Sequence, residues 1–162
     1  MPTSTVLPST YVVAVGSNRR GRHGGPRAEV AAALDRLDGL ASPIVDSAPL
    51  GPSSRTFANA VALVRSDRDP PAMLAWLKRL EAEFGRRPGR RWGARVIDLD
   101  LVLWSGGAWS SPGLTVPHIA FRERAFVLAP LAAIAPDWPD PLTGRRVRHL
   151  LARLTRPRRA RR

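Results

Sequence analysis

Arg91-Trp92-Gly93-Ala94-Arg95-Val96-Ile97-Asp98-Leu99-Asp100-Leu101-Val102-Leu103-Trp104 is a basic, glycine-containing entry into an alternating run, and the fold turns on it. From Val96 the residues are β-branched and aliphatic with a period of two, which predicts a strand. Side chains at i and i+2 share a face, so Asp98, Asp100, Val102 and Trp104 are expected on one side. Ile97, Leu99, Leu101 and Leu103 make the other side wholly apolar and pack it on a core. The two carboxylates lie roughly 7 Å apart along the strand, near enough to share one ion or hold two adjacent ones. Two partly buried like charges are costly unless a cation lies between them. The arginines just upstream are one candidate and a divalent metal ion is the other. An Asp-x-Asp by itself is more often a solvated acidic face, so the rest of the chain has to decide.

Composition narrows the field. A chain of 162 residues is long enough for one domain with its own core. Without cysteine there are no disulfides and no thiolate metal sites, which leaves carboxylates and three histidines as strong ligands. No apolar run reaches the length of a membrane span, and the N-terminus lacks a basic region followed by an apolar one. We read the chain as soluble, cytoplasmic and monomeric, with no membrane partner. The net charge of +13 suggests nucleic acid, but nine arginines and no acid lie between Arg145 and Arg162. Without them the body carries only +4. Most of the excess sits in this C-terminal stretch, which ends in a basic tail over 155–162, read as disordered, that touches polyanions without specificity.

In chain order, residues 1–10 form a loose leader and 11–154 a single domain. Tyr11 to Val15 is a strand stopped by Gly16-Ser17-Asn18, followed by a flexible basic loop from Arg19 to Gly25. Gly16 to His23 approaches a phosphate-cradling P-loop but lacks its lysine and Ser/Thr, so that motif is rejected. Pro26 opens a helix whose face is Val30, Leu34 and Leu37, with Gly39 as its stop. Ser42 to Asp46 reads as a short strand entering a Pro/Gly loop, and Phe57 to Val64 as another strand. Asn59 inside that run is unusual, because a buried amide needs partners. An edge position or backbone bonding accounts for it as well as ligand recognition does. Asp69-Pro70-Pro71 starts a helix with Met73, Leu77, Leu80 and Phe84 facing the core. Lys78 and Glu81, one turn apart, read as a surface ion pair. Past Trp104, a turn leads to Leu114-Thr115-Val116-Pro117-His118, where His118 is expected in a loop with a polar role. Arg124 to Ala133 and Val147 to Leu154 are the last helices. The order β-α-β-β-α-β predicts an α+β, ferredoxin-like fold: an antiparallel sheet with helices packed on it and a C-terminal helical extension.

Paired carboxylates flanked by arginine-rich loops suit a phosphoanhydride with Mg²⁺, which takes carboxylate oxygens plus substrate phosphates. Arg86, Arg87, Arg91 and Arg95 are suited to neutralising such charge. A ferredoxin-like RNA-binding module with exposed sheet aromatics is the competing reading.

Several motifs then resemble one family in order and spacing. They are Ala14-Val15-Gly16-Ser17-Asn18, Pro49-Leu50-Gly51, Phe57-Ala58-Asn59-Ala60-Val61, Glu81 with Gly85-Arg86, Arg91 to Asp100, Leu114 to His118, and Arg124 to Leu131. Over roughly 11–154 the chain resembles the 6-hydroxymethyl-7,8-dihydropterin pyrophosphokinases of folate biosynthesis. That resemblance implies transfer of the β,γ-pyrophosphate of the co-substrate ATP to the pterin hydroxymethyl oxygen, releasing AMP. It implies two Mg²⁺ ions held by Asp98 and Asp100, with Arg86, Trp92 and Arg95 joining them as catalytic residues that close over the phosphates. It assigns Lys78, Glu81, Arg86, Arg95, Leu101, Thr115, His118 and Arg124 to ATP. It assigns Ser47, Ala48, Leu50, Phe57, Asn59, Trp92 and Phe126 to the pterin, with the ring between Phe57 and Phe126. The chain departs from relatives at Lys78, where glutamine is frequent, and at Ile119, which replaces an aromatic. Its partners are then small molecules, with no specific nucleic acid. Deleting 156–162 is expected to leave turnover nearly unchanged, measured as AMP released by full-length and truncated protein.

Overall fold

The structure is a computed structural model that describes residues 7–48, 56–85 and 96–159. Seven strands and four helices follow in order: β1 (Ser9–Ser17), α1 (Pro26–Leu37), β2 (Leu40–Ala41), β3 (Val45–Ser47), β4 (Phe57–Ser66) and α2 (Pro70–Glu83). After them come β5 (Asp98–Trp104), β6 (Trp109–Ser111), β7 (Leu114–Val116), α3 (Ala125–Ile134) and α4 (Val147–Thr155). The main sheet runs β2-β4-β1-β5, with β3 also on β4, and every pairing is antiparallel. This is the expected ferredoxin-like order, with β2 and β3 together filling one strand position. The single strand expected over 42–46 is broken because Pro43 has no N–H for a ladder. Ser42 bridges the gap instead: its N–H donates to Val61 O (2.8 Å) and its Oγ accepts the Val61 N–H (2.9 Å). β1 begins at Ser9, inside the stretch read as a leader.

Helices start where the local chemistry dictates. Asp69 caps α2 by accepting the Ala72 N–H at 2.9 Å, and Pro70-Pro71 fill its first turn. The Tyr11 hydroxyl donates to Arg68 O at 2.5 Å and ties β1 to that corner; burial, then Asp69, push its pKa up to about 12. Both faces of the sheet are covered. Val13, Val15, Ala60, Leu99 and Leu101 pack on α1 and α2. Val12, Val61, Val102 and Leu103 pack on α3 and α4. Among the described residues, the sheet is covered over most of its area rather than laid open as a row of aromatics for RNA.

The parity expected for β5 holds only to Leu101. Val12 pairs with Leu103 and Val13 with Leu101, so Val102 is an extra residue in a β-bulge. Beyond it the faces exchange: Leu103 joins the α3/α4 core, and Trp104 turns to the other core, edge-on to Trp109 at 5.9 Å. Asp98 and Asp100, upstream of the bulge, keep the face shared with α3.

The segment after β7 is braced by one buried ion pair. Asp140 is fully buried and takes Arg122 in bidentate fashion at 2.6 and 2.7 Å. It also accepts the Leu142 N–H (3.0 Å) and the Thr143 hydroxyl (2.7 Å). Burial raises the Asp140 pKa, but these hydrogen bonds outweigh it and lower the pKa from 3.8 to about 2. A carboxylate depressed in the folded state stabilises fully above its unfolded pKa, and that contribution falls away as pH drops toward the folded value. Asp140 is therefore expected to contribute on the order of 2 kcal/mol near neutral pH, lost between about pH 4 and 2. Thermal melts of wild type and Asp140→Asn across that range check this: the gap between them should close toward pH 2.

Candidate active site

The strand register assembles the site. Phe57 and Asn59 stand two apart on β4 and share a face. Asn59 pairs with Gly16 of β1, and Gly16 with Asp98 of β5. Two residues on, Val61, Ala14 and Asp100 align in the same way. The small residues Gly16 and Ala14 thus form the floor of a trough, with Phe57 and Asn59 on one bank and the aspartates on the other. With strands about 4.8 Å apart, the banks stand about 10 Å from each other. A Cβ at Gly16 would lie 3.1 Å from Asn59 Oδ1 and 3.8 Å from the Phe57 ring, so glycine keeps this floor open.

The start of α3 closes the trough from above. Arg124 precedes the helix, with Nη1 3.7 Å from Asp100 Oδ2 and its guanidinium 5.7 Å from the centre of the Phe126 ring. Phe57 and Phe126 are both only partly buried, unlike Phe121 and Phe84 of the cores. Asn59 is buried and its Nδ2 donates to Ser47 Oγ at 2.6 Å. It lies on β4, an interior strand, so the edge explanation for this amide is wrong. His118 follows β7; its Nδ1 accepts the Ala120 N–H at 3.1 Å, leaving the ring proton on Nε2. Burial, then Arg124, lower its pKa against the opposing pull of Asp98, so the ring is neutral near pH 7.

A second group gathers at the free edge of β5. Glu81 is fully buried, and its Oε1 accepts the Leu99 N–H at 2.9 Å. The expected surface pair with Lys78 is therefore corrected: Lys78 Nζ reaches Glu81 Oε2 from solvent at 3.7 Å, while the carboxylate is committed to the strand. Backbone groups of residues two apart point the same way, so Leu101 also offers its main chain to this edge while its side chain is core. Thr115 is exposed on β7. Ala48 follows β3 and is exposed. Leu50, Arg86, Trp92 and Arg95 lie outside the described residues.

The sequence reading gave no role to the Gly16 and Ala14 floor, and it misjudged the 19–25 loop. That loop is pinned: Gly21 and Gly24 exchange backbone hydrogen bonds, and the buried Glu29 accepts the His23 N–H at 2.6 Å. Glu29 Oε2 lies 2.9 Å from His23 Nδ1, and the His23 ring rests on Phe84 at 5.1 Å. The signal was available, because Glu29, Ala33 and Leu37 form one buried helical stripe with a charge in it.

Metal capacity follows from the donors. Among the described residues no group of three or more His, Asp or Glu side chains converges on one point. A pair of carboxylates is a poor cage for a resident ion but fits Mg²⁺ that arrives with phosphate oxygens and keeps its waters.

Residues 12–136 match the family described as 7,8-dihydro-6-hydroxymethylpterin-pyrophosphokinase. A 2-amino-4-hydroxy-6-hydroxymethyldihydropteridine pyrophosphokinase of Pseudomonas aeruginosa is 40% identical over 148 residues, covering 86% of this chain and 88% of that one. The enzyme of the same name from Haemophilus influenzae is 36% identical, covering 79% of this chain and 82% of its own. In fold, the chain is similar to the HPPK-DHPS of Plasmodium falciparum solved with pteroate, with a TM-score of 0.68 at 12% identity. That likeness covers 90% of this chain but only 44% of the larger protein.

The half-buried state of Phe57 and Phe126 separates a ring clamp from core packing. Buried phenylalanines lose about 3–5 kcal/mol of stability on truncation to alanine. Phe57→Ala and Phe126→Ala are expected to lose far less, and to weaken pterin binding by roughly 1–3 kcal/mol each, the range for base–aromatic stacking. Titration calorimetry with a pterin and with ATP, beside thermal melts, reads both effects; ATP affinity should barely move.

Proposed function

This chain belongs to the 7,8-dihydro-6-hydroxymethylpterin-pyrophosphokinase family, and we propose that it carries the pyrophosphate of ATP to the pterin by a single in-line displacement between the trough's two banks. As a pyrophosphokinase it is a transferase of folate biosynthesis, acting on hydroxymethyldihydropterin. In the proposed reaction the hydroxymethyl oxygen attacks the β-phosphorus, the bond to the α-phosphate oxygen breaks, and AMP departs. The hydroxyl proton passes to water as the new bond forms. The observation that carries this reading is the register row Asn59–Gly16–Asp98, which sets a recognition amide and a carboxylate on opposite sides of one narrow floor.

The residues divide the work by their chemistry. Phe57 and Phe126 stack on the flat pterin, while Asn59, held by Ser47, and the main chain near Ala48 and Leu50 read its polar edge. Asp98 and Asp100 would hold two Mg²⁺ ions, which would spread the phosphate charge and lower the pKa of the attacking hydroxyl. Arg124, together with Arg86 and Arg95, neutralises charge on the transferred group. Trp92 belongs with those two by its place in the motif. His118, neutral and with its proton on Nε2, donates a hydrogen bond to a phosphate oxygen. Lys78, Glu81, Leu101 and Thr115 serve the nucleotide from the free edge of β5, Glu81 chiefly by fixing that edge in place.

Asp98→Asn and Asp100→Asn test the assignment. Each is expected to cut Mg²⁺-dependent AMP formation by at least about 100-fold, as loss of a principal charge-stabilising group does. Removing one of two like charges should leave the melting temperature unchanged or slightly raised. Full turnover by either variant at ordinary Mg²⁺ would remove the metal role.

A further inference from the structure

Helix α4 has two faces of opposite character. Val147 and Leu150 are buried against the core that α3 shares with the sheet. On the other side Arg145, His149, Arg153 and Arg156 line one open depression of about 580 Å³. His149 and Arg153 stand one turn apart on α4, at i and i+4, and Arg145, just before the helix, joins them at the same depression. The acids of this extension are committed elsewhere. Asp140 holds Arg122, and Asp137 holds Arg146 at 3.4 Å and Arg148 at 2.5 Å. Among the described residues no ion pair involves Arg145, Arg153 or Arg156. Arg158 and Arg159 continue the positive run past the helix, and the whole extension lies beyond the residues that match the family.

We propose that this face of α4 is a docking surface for nucleic acid, one that grips the phosphate backbone and does not read bases. Guanidinium groups suit phosphate because their planar fork donates two parallel hydrogen bonds to its oxygens. Apart from the His149 imidazole the surface is all guanidinium, and it holds none of the amide or carboxylate groups that read base edges, which favours phosphate over base contacts. A lipid surface fits less well. Helices that lie on membranes sink their apolar face into the bilayer, and the apolar face of α4 is spent on the protein core. The site lies on a different element from the catalytic trough, and docking leaves the trough's residues untouched.

The measurement is fluorescence anisotropy of full-length protein with labelled duplex DNA of about 20 base pairs, in two unrelated sequences, from about 50 to 200 mM salt. Binding in the micromolar range at about 50 mM is expected, equal for both sequences and falling steeply with salt. Arg145→Glu with Arg153→Glu should weaken it by at least about 10-fold and reduce the salt slope by about two. Arg22→Glu with Arg79→Glu makes the same charge change at exposed positions outside α4 and should alter affinity by less than about 2-fold. Thermal melts confirm that both pairs fold. Equal losses for the two pairs would reduce the effect to net charge and overturn the proposal. So would the absence of binding at low salt, preference for one sequence, or α4-dependent binding to phosphatidylserine vesicles without binding to DNA.

Discussion

A strand that carries two carboxylates at the edge of a sheet has to be held there, and the Glu81–Leu99 hydrogen bond does much of that holding. Among the described residues β5 pairs as a strand only with β1. Its other row of N–H and C=O groups would be left open, which costs stability where buried and invites pairing with other chains. The Glu81 carboxylate accepts the Leu99 N–H from inside the molecule, and the His118 N–H donates to Val102 O at 2.9 Å. Leu99 lies between Asp98 and Asp100, so the amide fixed by Glu81 sets the backbone from which both carboxylates project. Charge-assisted hydrogen bonds are the stronger kind, and this one is fully shielded from water. The bulge at Val102 then ends the regular ladder just past the functional pair.

The elements with clear periodicity were legible. Met73, Leu77, Leu80 and Phe84 are buried as their spacing requires, and the strand parity of Phe57, Asn59, Asp98 and Asp100 was readable from alternation. The sheet order followed from the sequence of elements. What escaped depended on a partner. A bulge exists only relative to the strand opposite, and nothing in Leu101-Val102-Leu103 announces the extra residue. Glu81 stands four residues from Leu77 on the buried stripe, so its position was visible, but its partner is a backbone amide, which leaves no mark in sequence. The trough's floor was hidden in the same way: Gly16 and Ala14 matter for what they leave out, and their meaning appears only when β4 and β5 flank them.

The site also shows how a like-charged pair is tolerated before ligands arrive. Asp98 and Asp100 are each partly exposed to water, which screens the repulsion between them. The sequence reading looked upstream for a compensating cation, and the described structure offers one downstream, Arg124 at 3.7 Å from Asp100. His118 adds no positive charge, because burial and Arg124 hold it neutral.

Two arginine–aspartate pairs that begin two residues apart in sequence behave oppositely, and the difference follows from geometry and solvent. Arg122 meets Asp140 with two short bonds, and the carboxylate is shut away from water. Breaking such a pair strands a buried charge, at about 3–5 kcal/mol. Arg124 meets Asp100 with a single long contact, and each side chain is about one-third exposed. Pairs of that kind are worth about 0–1 kcal/mol. The 3-10 turn Phe121–Glu123 is thus clamped to the C-terminal extension, while the residue immediately after it keeps a guanidinium that can exchange partners at little cost. α3 begins at that point and carries Phe126 in its first turn. Rigidity at Arg122 places Arg124 and Phe126 over the trough, and the weakness of the Arg124 contact leaves it able to turn from a carboxylate to a phosphate.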